Sequence, residues 1–265
     1  MGVDRISLTG ANLMLSFFRI LICLVAFLPV LQAKRILFVT HTAGFRHDSI
    51  AAATQSMQDM AIRSEKFEVV PTEDLSLINA ETLRDFDAVF FFTSGELALS
   101  DQQKADLLDF VQSGKGFGGA HCATDTLYTW PEYGEMIGAY FDGHPWAQEV
   151  NIKVEESAFP GLEDIEGNAF RFTDEIYQFR QFSRDRVRVL LSLDTSSVDL
   201  TAPGVNRTDG DFALAWIKPF GAGRVFYSAL GHFDWSWTDE RMQKILTGAL
   251  LWLVGEAETD RSPKL

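Results

Sequence analysis

Cysteine, basic charge, histidine and long apolar runs are all scarce in this chain of 265 residues, and each shortage excludes something. Of the two cysteines, Cys23 lies in an N-terminal apolar segment and Cys122 in the middle of the chain. A chain cleaved behind that segment keeps one thiol and has no intrachain disulfide, although export would permit one. Its core has to hold without covalent staples, which this length and a hydrophobic content of 46% allow. Lysine and arginine number 23 against 37 acidic residues, a net charge of −14. An acidic chain without Lys/Arg clusters repels phosphate backbones, which argues against nucleic acid as a partner and leaves neutral ligands or cations. No internal repeat or linker divides the chain, and no local HExxH or HxH metal signature is present.

The apolar run Ile20–Val30 (ILICLVAFLPV) is too short for a comfortable transmembrane span. Arg19 precedes it, and Leu31-Gln32-Ala33 then Lys34-Arg35 follow. A basic flank, a short apolar stretch and a small residue before a polar one describe a secretory signal peptide over residues 1–33, cleaved after Ala33. Translation from Met14 would give a more compact signal, and a retained N-terminal anchor is the alternative. The expected location is the periplasm or the extracellular space, with membrane contact only through an uncleaved N-terminal segment.

What the chain does contain is an alternation of strand and helix patterns. Apolar runs at Lys34–Thr40, Phe67–Pro71, Asp87–Thr93 and Gly116–His121 read as buried strands. Helices are expected over Ile50–Arg63 and, capped by Ser100 and closed by Gly114, up to Gln112. Strand–helix alternation at this spacing means βαβ units and a parallel sheet. Further on, Glu149–Glu155 reads as an edge or hairpin strand and Arg186–Leu193 as another. Phe212–Lys218 and Arg224–Leu230 form a hairpin by composition, and Glu240–Val254 a closing helix. One domain over residues 34–255 and a polar, unstructured tail over 256–265 complete the reading.

The stretch Gly116–Asp125 (GFGGAHCATD) stands out: a glycine-rich strand ends abruptly in polar residues, at the sheet edge where ligands bind. The chain has five histidines. His41 and His47 follow the first strand, His121 ends the fourth, His232 follows the last, and His144 sits in an aromatic insertion. A lone histidine is more often structural. Several at strand exits point to a shared site, with acid/base groups, sugar-hydroxyl partners or metal ligands as its readings. Cys122 does not occupy the strained elbow position, because the small residues flank position 121; the register projects His121 outward and turns Cys122 into the packing. Thr124 and Asp125 are either catalytic or helix caps. Asp174, Glu175 and Tyr177 offer two carboxylates and a phenol or, equally, a solvated strand end. The 22 phenylalanines and six tryptophans either line a sugar pocket or fill the core.

From ILFVTHTAGFRHDSI through GFGGAHCATDTLYTWPEYGEMIGAYFDGHPW and DEIYQFR to AWIKPFGAGRVFYSALGHFDWSW, the chain resembles the ThuA-like (trehalose utilisation) family, a branch of the class I glutamine amidotransferase-like superfamily. The resemblance implies a flavodoxin-like, doubly wound, mostly parallel sheet flanked by helices, with an antiparallel C-terminal extension. It also implies a role with disaccharides or oxidised (keto) sugars. Amidotransferases of that superfamily carry cysteine at the elbow and a later His–Glu pair; here His121 takes the elbow, so glutaminase activity is not expected.

The resulting expectation is an exported protein that processes a disaccharide, glycoside or keto-sugar, with a non-catalytic carbohydrate-binding module and a cysteine hydrolase as alternatives. His121, Asp125, His232 and Glu175 are the expected catalytic groups. The expected substrate contacts are His41, Gly44, His47, His144 and Tyr177, with Trp130, Tyr133 and Trp146 as stacking surface. A divalent metal, if one is used, would sit on His47, His121, His144 and His232. A homo-oligomer is compatible with the sequence.

Overall fold

The computed structural model describes residues 1–2 and 33–264. Residues 3–32 of the expected signal segment, with the alternative start at Met14, fall outside the described residues. No described helix is long and apolar enough to cross a membrane.

In chain order the elements are β1 (Lys34–Val39), α1 (Ile50–Ser64), β2 (Phe67–Thr72), α2 (Ala80–Leu83), β3 (Ala88–Phe91), α3 (Asp101–Gln112), β4 (Gly116–Ala120) and α4 (Pro131–Ile137). There follow β5 (Tyr140–Phe141), β6 (Trp146–Val154), β7 (Ala169–Ile176), β8 (Phe179–Arg180), β9 (Arg188–Leu193), β10 (Ala213–Phe220), β11 (Gly223–Ser228), α5 (Asp234–Thr238) and α6 (Glu240–Leu253). Nine strands form one sheet in the order β2-β1-β3-β4-β11-β10-β9-β6-β7, and β5 pairs with β8 apart from it. The first five positions are parallel, the 2-1-3-4-5 arrangement of a flavodoxin-like sheet with β11 in fifth place. From β11 onward each neighbour is antiparallel, so the expected extension is present as four strands. The segment expected as an edge or hairpin strand is β6, which pairs antiparallel with the next strand, β7, and is flanked on its other side by β9, so that β7 takes the edge.

Parallel strands covered on both faces have no polar side to offer, which is why Ile36–Val39 and Ala88–Phe91 are apolar throughout and fully buried. The glycines of β4 let helices close in. A Cβ at Gly118 would lie 2.3 Å from the Phe90 ring and 2.8 Å from Leu253 of α6, whereas one at Gly119 would meet Ala123 at 2.7 Å and Ile137 of α4. Consecutive strand residues point to opposite faces, so α6 and α4 cover opposite sides of β4. Ser100 caps α3 as expected, and Gln103 completes a reciprocal capping box with it.

The antiparallel half coils back. In a flat sheet β7 would lie four strand spacings, about 19 Å, from β11. Yet the Asp174 carboxylate of β7 accepts a 2.8 Å hydrogen bond from the backbone N–H of Gly231, just after β11. Two register shifts interrupt the β9–β10 pairing around Ala215, and irregularities of this kind increase local strand twist. The polar tail is also tied down: Arg188 pairs with Asp260, and Arg261 donates to the carbonyl of Gly223 at 2.9 Å.

Candidate functional site

β4 runs to Ala120, and His121 then adopts φ +44°, a left-handed conformation rare for a residue with a Cβ, before a 3-10 turn over His121–Thr124. Such a conformation costs on the order of 1–3 kcal/mol and persists only where the surroundings impose it. Here Tyr227 donates its hydroxyl to the His121 carbonyl at 2.7 Å, and His121 Nδ1 donates to the carbonyl of Ala229, also at 2.7 Å. Both anchors come from β11 and its exit. With the proton fixed on Nδ1, the Nε2 lone pair faces the carboxyl ends of the strands.

Around Nε2 gather groups from four parts of the chain. The Tyr177 hydroxyl lies 2.9 Å away, His232 Nδ1 3.2 Å and a Glu175 oxygen 3.6 Å. The same Glu175 oxygen is 3.0 Å from His232 Nδ1, and its other oxygen is 3.7 Å from His144 Nδ1. The His47 ring packs edge-on against His121 and His232, with centroids 4.9 and 5.2 Å away. One ligand atom each from His47, His121 and His232 lies within 4.8 Å of the others, a grouping that a metal ion could use.

Asp174 holds this assembly from beneath. It is fully buried and accepts from the backbone N–H groups of Gly231 (2.8 Å), His232 (3.1 Å) and Glu175 (2.9 Å), and from the Ser236 hydroxyl (2.8 Å). It thereby joins Glu175 to the turn that carries His232.

Charge follows from these contacts. Burial pushes the His47 imidazole down to about 3, helped by the neighbouring His121 and His232, so His47 is neutral. Burial opposes ionisation of Glu175 as well, but the surrounding imidazoles, His232 bonded to it at 3.0 Å foremost, outweigh it and hold the carboxyl well below its usual range. For His232 burial disfavours the cation, and the hydrogen bond and charge of Glu175 overcome it, raising the pKa. Burial raises Asp174 despite its four donors.

The cluster is nearly closed. His121 has no exposed surface, so it does not project into solvent as its register suggests; Tyr177, His232 and His47 cover it. The surface that meets solvent is the edge formed by Glu175 (side chain 16% exposed), His232 (21%) and His144 (46%). Exposed Phe45 beside His47, and exposed Trp235 stacked on Phe233 beside His232, flank that edge.

Other expected site residues go elsewhere. His41 Nδ1 donates to the Glu73 carbonyl at 2.9 Å and so joins the end of β2 instead. Trp130 and Tyr133 stack on each other inside the core, and the Tyr133 hydroxyl donates to the Ala123 carbonyl. Trp146 packs on Phe212 and donates to the Asp199 carbonyl, so these three rings have no free face for a sugar. Asp125 accepts from the Tyr128 hydroxyl at 2.6 Å, and Glu175 is the carboxylate that faces His121. Gly44 lies in the loop after β1 against Ser94 and Gly95, where its N–H bonds the Ser94 carbonyl. Cys122 is buried, and burial raises its thiol well above the ordinary value.

The sequence pattern of β7 marks Asp174 as a buried acid. Phe170, Phe172, Asp174 and Ile176 alternate with exposed or half-buried residues, which puts the carboxylate on the inward face of the strand. A groove of about 660 Å³ lined by Arg63, Gly161, Glu240 and Lys244 lies beside α6 and contains none of the histidines.

Among solved structures, a ThuA-like protein from Bacteroides uniformis superposes with a TM-score of 0.67 at 21% identity, covering 85% of this chain and 93% of that one. Another from Parabacteroides merdae gives 0.68 at 16% identity, covering 88% and 94%. These identities establish a shared fold. Comparison with curated proteins gives no match. The family model described as ThuA, trehalose utilisation, matches residues 35–253, nearly the whole described fold, and the chain therefore belongs to the ThuA family.

Proposed function

We propose that this ThuA-family protein processes a small glycoside or keto-sugar by acid–base chemistry at the Glu175–His232 edge. Family membership supports a sugar-related role. The observation that carries the finer reading is the 3.0 Å pairing of an ionised carboxylate with an imidazole at the solvent face, backed by His121 and Tyr177. In a proton abstraction beside a carbonyl, Glu175 accepts the proton and His232 donates a hydrogen bond to the oxygen on which charge develops. Phe45 and Trp235 offer the apolar faces on which a sugar ring stacks.

The test is a panel of disaccharides, glycosides and their keto derivatives, incubated with the chain in deuterated water and followed by NMR. A keto-sugar is expected to exchange the hydrogen beside its carbonyl or to go on to product. Glu175→Gln lowers that rate by about 10²–10⁴-fold. Ligand binding across the panel with neither exchange nor product would make the protein a carbohydrate-binding module instead.

A further inference from the structure

We propose that His121, His232 and Glu175 form three ligands of a binding site for one divalent first-row transition-metal ion. This goes beyond the carbohydrate reading and is measured without a sugar present.

His121 Nε2, His232 Nδ1 and one Glu175 oxygen form a triangle with edges of 3.2, 3.0 and 3.6 Å. Metal–nitrogen and metal–oxygen bonds of about 2.1 Å put adjacent ligands about 3.0 Å apart in an octahedral site and about 3.4 Å apart in a tetrahedral one. An ion about 2.1 Å from all three atoms would sit about 0.9 Å out of their plane. A regular tetrahedral site has about 0.7 Å there, an octahedral one about 1.2 Å. The triangle is thus already the size of one face of a coordination shell.

Hydrogen bonding points the same way. A ligating imidazole ordinarily donates its other nitrogen to a carbonyl or carboxylate, which fixes the tautomer and the ring. His121 does so to Ala229, leaving Nε2 as the free donor of a lone pair. Asp174 anchors the backbone of both His232 and Glu175, two of the three triangle residues. The Tyr177 hydroxyl points at the same His121 lone pair, so ion and hydroxyl compete for it.

Charge balance agrees. Among the described residues Glu175 pairs only with imidazoles, and Asp174 faces backbone and hydroxyl donors with no Lys or Arg in contact. Two acidic side chains gathered with three imidazoles, and without a fixed cation, suit a doubly charged ion. A set dominated by imidazole nitrogen, with one carboxylate, selects zinc, iron, cobalt, nickel or manganese over calcium or magnesium.

The test uses the full chain, stripped with a chelator and dialysed, then titrated with Zn²⁺ by calorimetry and with Co²⁺ by visible absorption. One equivalent of Zn²⁺ is expected to bind, and Co²⁺ to develop ligand-field bands that Zn²⁺ abolishes. His232→Ala and Glu175→Gln weaken binding by about 100-fold or more, whereas His41→Ala leaves it unchanged. Circular dichroism confirms that each variant is folded, and Glu175→Gln preserves the side-chain shape. Absence of stoichiometric binding, or equal binding by wild type and both site variants, overturns the proposal. Metal binding without sugar turnover refutes only the acid–base reading, and turnover in the stripped protein without metal binding refutes only the metal site.

Discussion

Replacing Asp174 with alanine removes the buried carboxylate that ties β7 to the turn after β11. Four donors point at its carboxylate from within 3.1 Å: the N–H groups of Gly231, His232 and Glu175, and the Ser236 hydroxyl. Gly231 and Ser236 are buried, so water does not readily replace the lost acceptor. Each buried donor left unsatisfied costs about 1–3 kcal/mol, and removing one partner of a buried charged network costs about 3–5 kcal/mol in all. We expect a loss in that range for Asp174→Ala and about 2 kcal/mol for Asp174→Asn, which keeps one acceptor oxygen. Urea denaturation followed by tryptophan fluorescence reads the loss as a midpoint shift of about 1–2 M for Asp174→Ala. Ser236→Ala alone should cost about 1 kcal/mol, and almost nothing in the Asp174→Ala background. A midpoint shift of under about 0.3 M, or additive effects of the two substitutions, would refute the reasoning, because the network would then not be the link between the two halves.

Trp130→Ala is expected to destabilise the fold by about 3–5 kcal/mol while leaving sugar affinity per folded molecule unchanged; weaker binding at unchanged stability would restore Trp130 to the ligand surface. At Gly118, where a Cβ meets the Phe90 ring at 2.3 Å, alanine should cost about 1–3 kcal/mol in thermal or chemical melts. Iodoacetamide should leave native Cys122 unlabelled over the time in which the urea-unfolded chain reacts completely, since the buried thiol is both inaccessible and held protonated. Burial alone would raise the Glu155 carboxyl, but the Arg184 guanidinium bonded to it outweighs burial and depresses it. The stability from this pair is therefore complete above the ordinary carboxylate range and lost as pH falls through the lowered value. Arg184→Met should melt earlier than wild type at pH 7, and the gap should close on acidification; a gap constant from pH 7 to pH 3 contradicts the linkage.

The sequence alone determined the parallel half of the sheet, because its signals are local. The runs at Lys34–Val39 and Ala88–Phe91 are dominated by apolar residues, which only a strand covered on both faces requires, and Ser100 and Gly114 bracket the helix α3 locally. The elbow was local too: small residues around position 121 permit the left-handed turn that His121 adopts. What lay beyond reach was everything set by the coiling of the antiparallel half. Glu175 and Tyr177 are named from the sequence, but they are more than fifty residues from His121, and a flat sheet would hold them far from it. Twist at the β9–β10 bulges and the buried Asp174 bring them over the strand ends, and that same closure hides His121 from solvent. Tertiary packing likewise sorted the aromatic rings, since composition cannot tell a ring that fills the core, as Trp130, Tyr133 and Trp146 do, from one that lines the surface, as Phe45 and Trp235 do. Local chemistry therefore names the strand ends and the histidines, and long-range sheet geometry decides which of them meet.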